Sequence, residues 1–542
     1  MLESRRRDYL GTNEAVTINE CLSRGVERHR KGDLRRAEQL YREILAVAPA
    51  HAIALQMLGL VMIQTNRLQG GVELIDKALA INPNDADALY NRGNALRALK
   101  RLDEALASYD KALAIRPDSV EALNNRGNVL QELKRFDEAL ASYDKALAVK
   151  PNRADTLSNR GSAFKELNRL DEALASYDRA LSISPNDAEA LYNRGLALQE
   201  LQRFDAAMAS YDKALAIKPL HADARYNRAL LALQRGDFVA GWTDYESRWN
   251  RKGAPNRKLK ASLPTWRGED ASRKKIIIYD EQGLGDVIQF SRYLKILAKS
   301  GARVTFLARP SLLRLIRSSN DSICVTAVEP TEAFDCQSAL LSLPLAFRTT
   351  FGNIPAETPY LGAEPERVQK WRVRLGDHGF KIGVAWQGSK AGKIDIGRSF
   401  ALTEFLGLSQ LPNVRLISLQ KNEGVEQLEQ LPDGMRVETL GDDFDAGDDA
   451  FLDAAAVMEN LDLVISSDTA IAHLAGALAR PVWLALKQVP DWRWMLDRAD
   501  SPWYPTMRLF RQQTMGDWRG VFTDIERALR QLIGPPLQQS GP

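Results

Sequence analysis

Over its first half the chain reads as helix. In residues 86–116, Leu89, Gly93 and Leu96 fall at i, i+4 and i+7, one face of a first helix. Ala105, Tyr109 and Ala112 do the same on a second helix. The pair then recurs. Pro49, Pro83, Pro117, Pro151, Pro185 and Pro219 stand 34 residues apart and stop each second helix. Gly25, Gly59, Gly93, Gly127, Gly161 and Gly195 keep one register, and Tyr41, Ile75, Tyr109, Tyr143, Tyr177, Tyr211 and Tyr245 another. Gly93 and Ala105 are small where the two helices must approach closely. One hairpin cannot bury its own apolar face, so the copies are expected to stack.

A helical hairpin of 34 residues resembles the tetratricopeptide repeat. The resemblance covers 18–249 and implies an α-helical superhelix of six regular repeats and a degenerate seventh, which takes a protein partner. In the seventh, Ala229 replaces the glycine, Arg248 the alanine and Gly253 the proline. Its aromatic tail, 241–249, is expected to dock onto the domain that follows. Asn91, Asn125, Asn159, Asn193 and Asn227 recur once per repeat on the first helix. Asparagine inside a helix costs roughly 0.5 kcal/mol against alanine. Stacked amides would suit the backbone of an extended peptide, since each can donate and accept. The asparagine ladder of O-linked N-acetylglucosamine transferase, which grips acceptor polypeptide, is similar. The alternative is a tolerated polar residue copied by duplication.

In the second half the pattern changes. Residues 250–274 are basic and broken by glycine and proline, and read as a linker in which Trp266 is packed down. Strands are predicted at 276–279, 304–308 and 323–327, with helices at 287–297 and 312–317. After a proline-rich crossover at 344–365, strands follow at 381–386, 414–419, 437–439, 463–466 and 482–486, and helices at 451–459, 469–479 and 521–532. Alternation of this kind implies parallel sheets covered on both faces. Two Rossmann-like halves, 275–365 and 366–535, give an α/β arrangement similar to the GT-B fold. Residues 1–17 read as an N-terminal extension and 536–542 as a tail. The first half is short, so its acceptor side is either abridged or completed by the repeats.

Four stretches could carry chemistry. Ile276, Ile277 and Ile278 lead into Gly283-Leu-Gly285-Asp286, a strand–loop–helix corner that leaves room for an anion. A dinucleotide fingerprint is disfavoured, because Ile288 stands in place of the third glycine. A second buried strand ends in Ser467-Asp468-Thr469, with His473 one turn on. Asp468 is a candidate helix cap there. The corner either binds sugar hydroxyls or diphosphate, or is a cap beside an internally bonded histidine. The loop 388–398 offers Gly388, Ser389, Lys390, Lys393 and Arg398, suited to a diphosphate or simply solvated. Pro490-Asp-Trp492-Arg493-Trp494, with Trp503 and Tyr504, either stacks a base or sugar, or packs the core.

Composition removes other classes. A formal charge of +3 over 542 residues, with no basic stripe, does not suggest nucleic acid. Cys21, Cys324 and Cys336 form no zinc or disulfide spacing, and Cys21 and Cys324 read as buried small hydrophobes. No apolar run of about 18 residues appears, and no leader pattern, so a cytoplasmic protein is expected. No metal-ligand cluster is visible and no cofactor is implied.

Residues 275–533 resemble glycosyltransferase family 9, the heptosyltransferases, and the whole chain resembles bacterial proteins that join tetratricopeptide repeats to such a domain. The resemblance implies an inverting, metal-independent transfer from a nucleotide sugar. Asp286 would be the catalytic base. Gly283, Gly285, Ser467, Asp468, Thr469 and His473 would bind the donor, with Lys390, Lys393 and Arg398 competing to hold its diphosphate. The family's acidic contact to the donor ribose would fall near 418–423, where Gln420 and Lys421 stand. Two rivals remain: a catalytically silent scaffold acting as a repeat adaptor, and a lipid or polysaccharide transferase whose repeats serve assembly.

Overall fold

The computed structural model describes residues 18–253, 260, 262–318, 321–389, 397–447 and 450–534. The expected extension 1–17, the tail 536–542, Lys390 and Lys393 lie outside the described residues. The chain divides into two compact units, one ending at Pro219 and one running Leu220–Pro542. The division therefore falls before the seventh repeat, not after it at 249. The reason is its apolar core: Phe238, Trp242 and Tyr245 are buried in one cluster with Phe290, Trp492 and Trp503.

The first unit is an array of paired helices, from Ile18–Arg30 and Leu34–Val47 to Ala188–Glu200 and Phe204–Ile217. Tyr109, Tyr143, Tyr177 and Tyr211 are fully buried. Each covers the glycine of its own hairpin: a Cβ on Gly93 would stand 2.6 Å from the Tyr109 ring, and one on Gly161 2.7 Å from Tyr177. Glycine is required there for close approach. Inside each hairpin the chain reverses through a left-handed residue, Lys100 at φ 61° and Lys134 at φ 60° among them. The following N–H closes the helix end, Arg135 donating to the Leu130 carbonyl at 2.8 Å. A second ladder joins the repeats. Arg126 donates to Asp110 of the preceding repeat (2.6 Å) and to Ser142 of its own (2.7 Å). Arg92, Arg160 and Arg194 do the same at their registers.

The second unit begins with the helices Ala222–Gln234 and Phe238–Tyr245 and continues into two parallel sheets. The first holds β1 (Lys275–Tyr279), β2 (Arg303–Leu307), β3 (Cys324–Thr326) and β4 (Cys336–Ala339), ordered β3-β2-β1-β4. The second holds β5 (Phe380–Ala385), β6 (Val414–Ser418), β7 (Leu463–Ser466), β8 (Val482–Leu486) and β9 (Met507–Arg511), ordered β6-β5-β7-β8-β9. Ile276, Ile277 and Ile278 are buried, as an inner parallel strand requires.

Several elements differ from the sequence reading. The helix expected at 287–297 is two, Leu284–Phe290 and Arg292–Lys299. The strand expected at 437–439 is a single bridge from Glu438 to Ile417. β4, β9 and the helix Pro365–Leu375 were not predicted. Cys324 is exposed and Cys21 half-buried, so neither is the buried hydrophobe expected. Trp266 is buried as expected, its backbone N–H donating to the Gln337 carbonyl at 2.7 Å.

The order of strands places the loops. In the first sheet the order reverses between β1 and β4, and in the second between β5 and β7. Loops leaving the carboxyl ends of strands at such switch points form the ligand crevice of open α/β sheets. Among the described residues those loops are 280–283 after β1, leading into the helix Leu284–Phe290, 386–389 and 397–398 after β5, and 467–469 after β7.

Candidate active site

Asp286 sits in the first turn of Leu284–Phe290 and is held at both oxygens. Its Oδ2 accepts from the Gly283 backbone N–H at 2.8 Å, and its Oδ1 accepts from the Arg493 guanidinium. Gly283 thus serves as the N-cap whose N–H the carboxylate takes. Arg493 is fixed in turn: its Nε donates to Gln289 Oε1 (2.5 Å) and its Nη1 to Asp491 (2.8 Å). Burial works against its charge, but the Asp491 and Asp286 carboxylates outweigh it and hold the proton above its usual range. A carboxylate has about four acceptor sites, so Asp286 keeps lone pairs for a further donor.

Across the cleft, β7 ends in Ser466, whose hydroxyl pairs with Thr469 Oγ1 at 3.1 Å. The cap of the helix Ala470–Ala477 is Thr469 and not the expected Asp468, and it makes no side-chain cap bond. Asp468 lines the cleft instead. Burial and the neighbouring Asp491 push its carboxyl up to about 6, against Trp494, Arg493 and Arg398, which favour the ionised form. Ser467 is buried beneath the loop and is not among the residues lining the cleft, so its expected donor contact is not supported by its position. His473 Nδ1 pairs with Tyr504 Oη at 2.9 Å, and its ring stacks on Trp494 at 5.3 Å. Burial and the cations Arg493, Arg292 and Arg398 hold its pKa well below the usual range, so it is neutral at pH 7.

Gly285 joins the two sides. A Cβ there would lie 2.9 Å from His473 Cδ2. The loop after β1 and the helix after β7 can meet only because this residue has no side chain. The expectation that Gly285 simply opens the backbone to a donor misses this contact.

The third loop is described in part. The Arg398 guanidinium lies against Gly388, and the Gly388 N–H donates to Ser399 Oγ at 3.1 Å. Arg398 and Ser389 both line the cleft. Near 418–423, the Gln420 side chain is committed to backbone: it accepts from Trp386 N (3.0 Å) and Gln387 N (3.1 Å) and donates to the Gln387 and Glu423 carbonyls (2.8 Å each). It braces the loop after β5. Asp445, also in the cleft wall, is pushed up to about 6 by burial despite two backbone N–H donors. In the aromatic stretch, Trp494, Trp503 and Tyr504 are core, while Asp491, Trp492 and Arg493 line the cleft.

The remaining wall comes from the seventh repeat. Arg248 forms a paired contact with Glu281, Nε to Oε2 at 2.9 Å and Nη2 to Oε1 at 2.8 Å. Gln282 Nε2 donates to Tyr245 Oη at 2.9 Å, and Gln234 Nε2 to the Pro490 carbonyl at 2.9 Å. One departure from the repeat pattern is explained by its contacts here. Arg248 replaces alanine because it neutralises buried Glu281. The tail 241–249 docks, as expected. Tyr226, Leu230, Tyr245 and Arg251 line the same cleft as Asp286. Its volume, about 1260 Å³, exceeds the ~300–1,000 Å³ of a usual single-ligand pocket and leaves room for two substrates.

The expected peptide ladder is modified by bonds between repeats. Asn125 Nδ2 donates to Tyr90 Oη (3.1 Å) and Asn94 Oδ1 (2.8 Å), and Asn159 Nδ2 to Asn124 Oδ1 (3.1 Å). These amide donors tie neighbouring repeats together, and the Asn125 side-chain oxygen accepts from Asn124 Nδ2 at 3.4 Å. Asn91, Asn193 and Asn227 are half-buried at the same register. Among the described residues no group of three or more His, Cys, Asp or Glu side chains is placed to hold a metal ion, and no helix is long and apolar enough to cross a membrane.

Comparison with known proteins agrees with this layout. Residues 29–93, 84–152, 161–202 and 188–220 match tetratricopeptide repeat families. Residues 401–486 match glycosyltransferase family 9 (heptosyltransferase). That match includes Asp468, Thr469 and His473 and does not reach Asp286. The chain is similar to protein FlbA of Caulobacter vibrioides, 27% identical over 325 residues, covering 55% of this chain and 53% of that protein. The chain thus spans about half the length of that curated relative. It is also similar to the crystal structure of YrrB, a TPR protein with an unusual peptide-binding site (25% identity, 35% of this chain, 98% of that one, TM-score 0.32). A crystal structure of MamA is similar at 23% identity, covering 30% of this chain and 96% of that one, with a TM-score of 0.29.

Proposed function

We propose that this chain, in which tetratricopeptide repeats are followed by a region of glycosyltransferase family 9, transfers a sugar from a nucleotide-sugar donor to an acceptor hydroxyl by an inverting, metal-independent route. The repeats recruit the protein acceptor or partner. The observation that carries this reading is the contact of Gly285 with His473, which brings the Asp286 loop and the Asp468–His473 corner into one cleft.

The steps follow from the residues. The acceptor oxygen attacks the anomeric carbon, forming a C–O bond as the bond to the diphosphate breaks. Its proton passes to Asp286. The nucleoside diphosphate leaves with the electron pair, stabilised by Arg398, with Lys390 and Lys393 as further candidates, and by the backbone N–H groups at the start of Ala470–Ala477. Asp468 and neutral His473 hold donor hydroxyls or phosphate. The ladder Asn91, Asn125, Asn159, Asn193 and Asn227 would grip the partner.

The test is Asp286→Asn in the full chain. Product formation should fall by at least 10²-fold while nucleotide binding stays intact. Transfer at the wild-type rate would remove Asp286 as base, and loss of both transfer and binding would mark it as structural.

A further inference from the structure

The seventh repeat is built into the cleft, and its part of the wall has a register. Tyr226 and Leu230 stand 34 residues on from Tyr192 and Leu196, and four periods on from Tyr90 and Asn94. Those last two hold the amide of Asn125. The first-helix face that receives the asparagine amide of the next repeat is therefore, in the seventh, the face that lines the cleft of Asp286.

This wall is rigidly tied to the Asp286 loop. Tyr245 abuts Tyr226, with ring centroids 5.5 Å apart, and bonds through its hydroxyl to Gln282, the residue before Gly283. The Arg248–Glu281 pair fixes the same junction from below. Any acceptor that reaches Asp286 from this side meets Tyr226 and Leu230.

The chemistry of the wall selects among acceptors. A sugar acceptor would be met by an open aromatic face, but the Arg251 guanidinium lies 4.1 Å over the Tyr226 ring and is held there by Asp223 at 2.6 Å. A lipid would need a continuous apolar channel, and the wall is interrupted by that ion pair. What remains is the phenol edge and an aliphatic side chain, which suit a polypeptide backbone with a modest side chain.

We propose that Tyr226 and Leu230, backed by Tyr245 and Arg251, form the acceptor subsite, and that it takes an extended polypeptide presenting a serine or threonine hydroxyl to Asp286. This rests on the glycosyltransferase reading above and goes further, because it names the acceptor class and its binding residues. The hydroxyl oxygen bonds the anomeric carbon, its proton goes to Asp286, and nucleoside diphosphate departs.

The experiment uses the full chain, a panel of UDP-, GDP-, ADP- and dTDP-sugars, and a randomised peptide library with one central serine or threonine. Donor binding is read first by thermal shift, then peptide labelling by mass. Peptides should be labelled, and Tyr226→Ala and Leu230→Ala should each raise the peptide KM by roughly tenfold with the donor-induced shift retained. Tyr226→Phe, which keeps the ring, should stay within about threefold of wild type. The thermal midpoint of each variant reports folding. A chain that binds a donor and labels no peptide would overturn the polypeptide acceptor. Labelling with an unchanged peptide KM in both alanine variants would overturn the subsite. No shift with any donor would overturn the proposed function and the subsite with it.

Discussion

Replacing Arg248 with methionine should unfold the junction between the seventh repeat and the Asp286 loop. The side chains of Arg248 and Glu281 are 3% and 1% exposed, so the pair is among the most buried charges of the unit. Arg248 also donates to Ser342 at 2.7 Å. Methionine fills most of the volume and removes every one of these donors. Glu281 would keep only the Leu341 N–H, at 3.0 Å. Breaking a buried pair from one side costs about 3–5 kcal/mol, because the remaining charge is left without a partner. For the second unit, Leu220–Pro542, that corresponds to a midpoint lowered by roughly 4–7 °C in thermal unfolding. The pH dependence has a definite sign. Burial already raises the Glu281 pKa, and Arg248 is the main group lowering it. Without Arg248 it rises further, so Glu281 is stably neutral at low pH and the deficit grows as pH rises through the new value. Arg248→Met should therefore be nearer to wild type at pH 5 than at pH 8. Arg248→Met with Glu281→Leu should recover most of the loss, since an apolar pair of similar volume is often neutral or stabilising. A single variant that costs under about 1 kcal/mol, or a double variant as unstable as the single, would refute the reasoning.

Three further outcomes follow from other residues. Gly127→Leu should destabilise the repeat array by about 1–3 kcal/mol in urea unfolding, because the Tyr143 ring occupies the space of its side chain; no loss would contradict the close approach. Lys134→Gly should stabilise the array by about 0.5–1 kcal/mol, since Lys134 sits at φ 60° where a Cβ is unfavourable; a destabilised variant would contradict it. Donor binding should strengthen between pH 5 and 7.5 as Asp468, raised to about 6, ionises, and Asp468→Asn should flatten that rise in calorimetry; an unchanged slope would remove Asp468 from the donor contact.

The repeat array was legible because each hairpin carries the same local reasons for its shape. Gly93 and Tyr109 stand sixteen residues apart, a spacing kept in every regular copy with Ile75 for the tyrosine in the second, and that spacing alone implies a contact. The loops after β1 and β7 were legible because β-branched runs end abruptly in small and acidic residues. The domain boundary was not, because Trp242 and Tyr245 read equally as a cap or as a core until Phe290 and Trp492 are in place around them. β4 escaped because Gln337 and Ser338 are polar yet buried. Gln337 is satisfied there by the Lys260 and Leu263 carbonyls at 2.5 and 2.6 Å, bonds no local pattern announces. Arg493 is a cleft residue whose pairing with Asp286 sequence reading passed over. It pairs with Asp286 across 207 positions, and its only local sign is a cation and Asp491 set among tryptophans. Ser467 shows the converse: its place in a motif suggested a ligand, while its backbone N–H simply continues the ladder to Ala385 at 2.9 Å.

These findings also bear on how the protein should be cut. A fragment beginning after 250 would delete Arg248 and Tyr245 and leave Glu281 buried without its guanidinium. The second unit as it folds begins at Leu220.

The cleft around Asp286 and His473 should bind a nucleotide sugar. The direct measurement is thermal unfolding of the full chain against UDP-, GDP-, ADP- and dTDP-sugars. Ligand at about 100 times its dissociation constant adds roughly 2.7 kcal/mol, a shift of a few degrees. Such a shift is expected with one nucleotide class, retained in Asp286→Asn. No shift with any of them would contradict it and leave the second unit as a scaffold for the repeats.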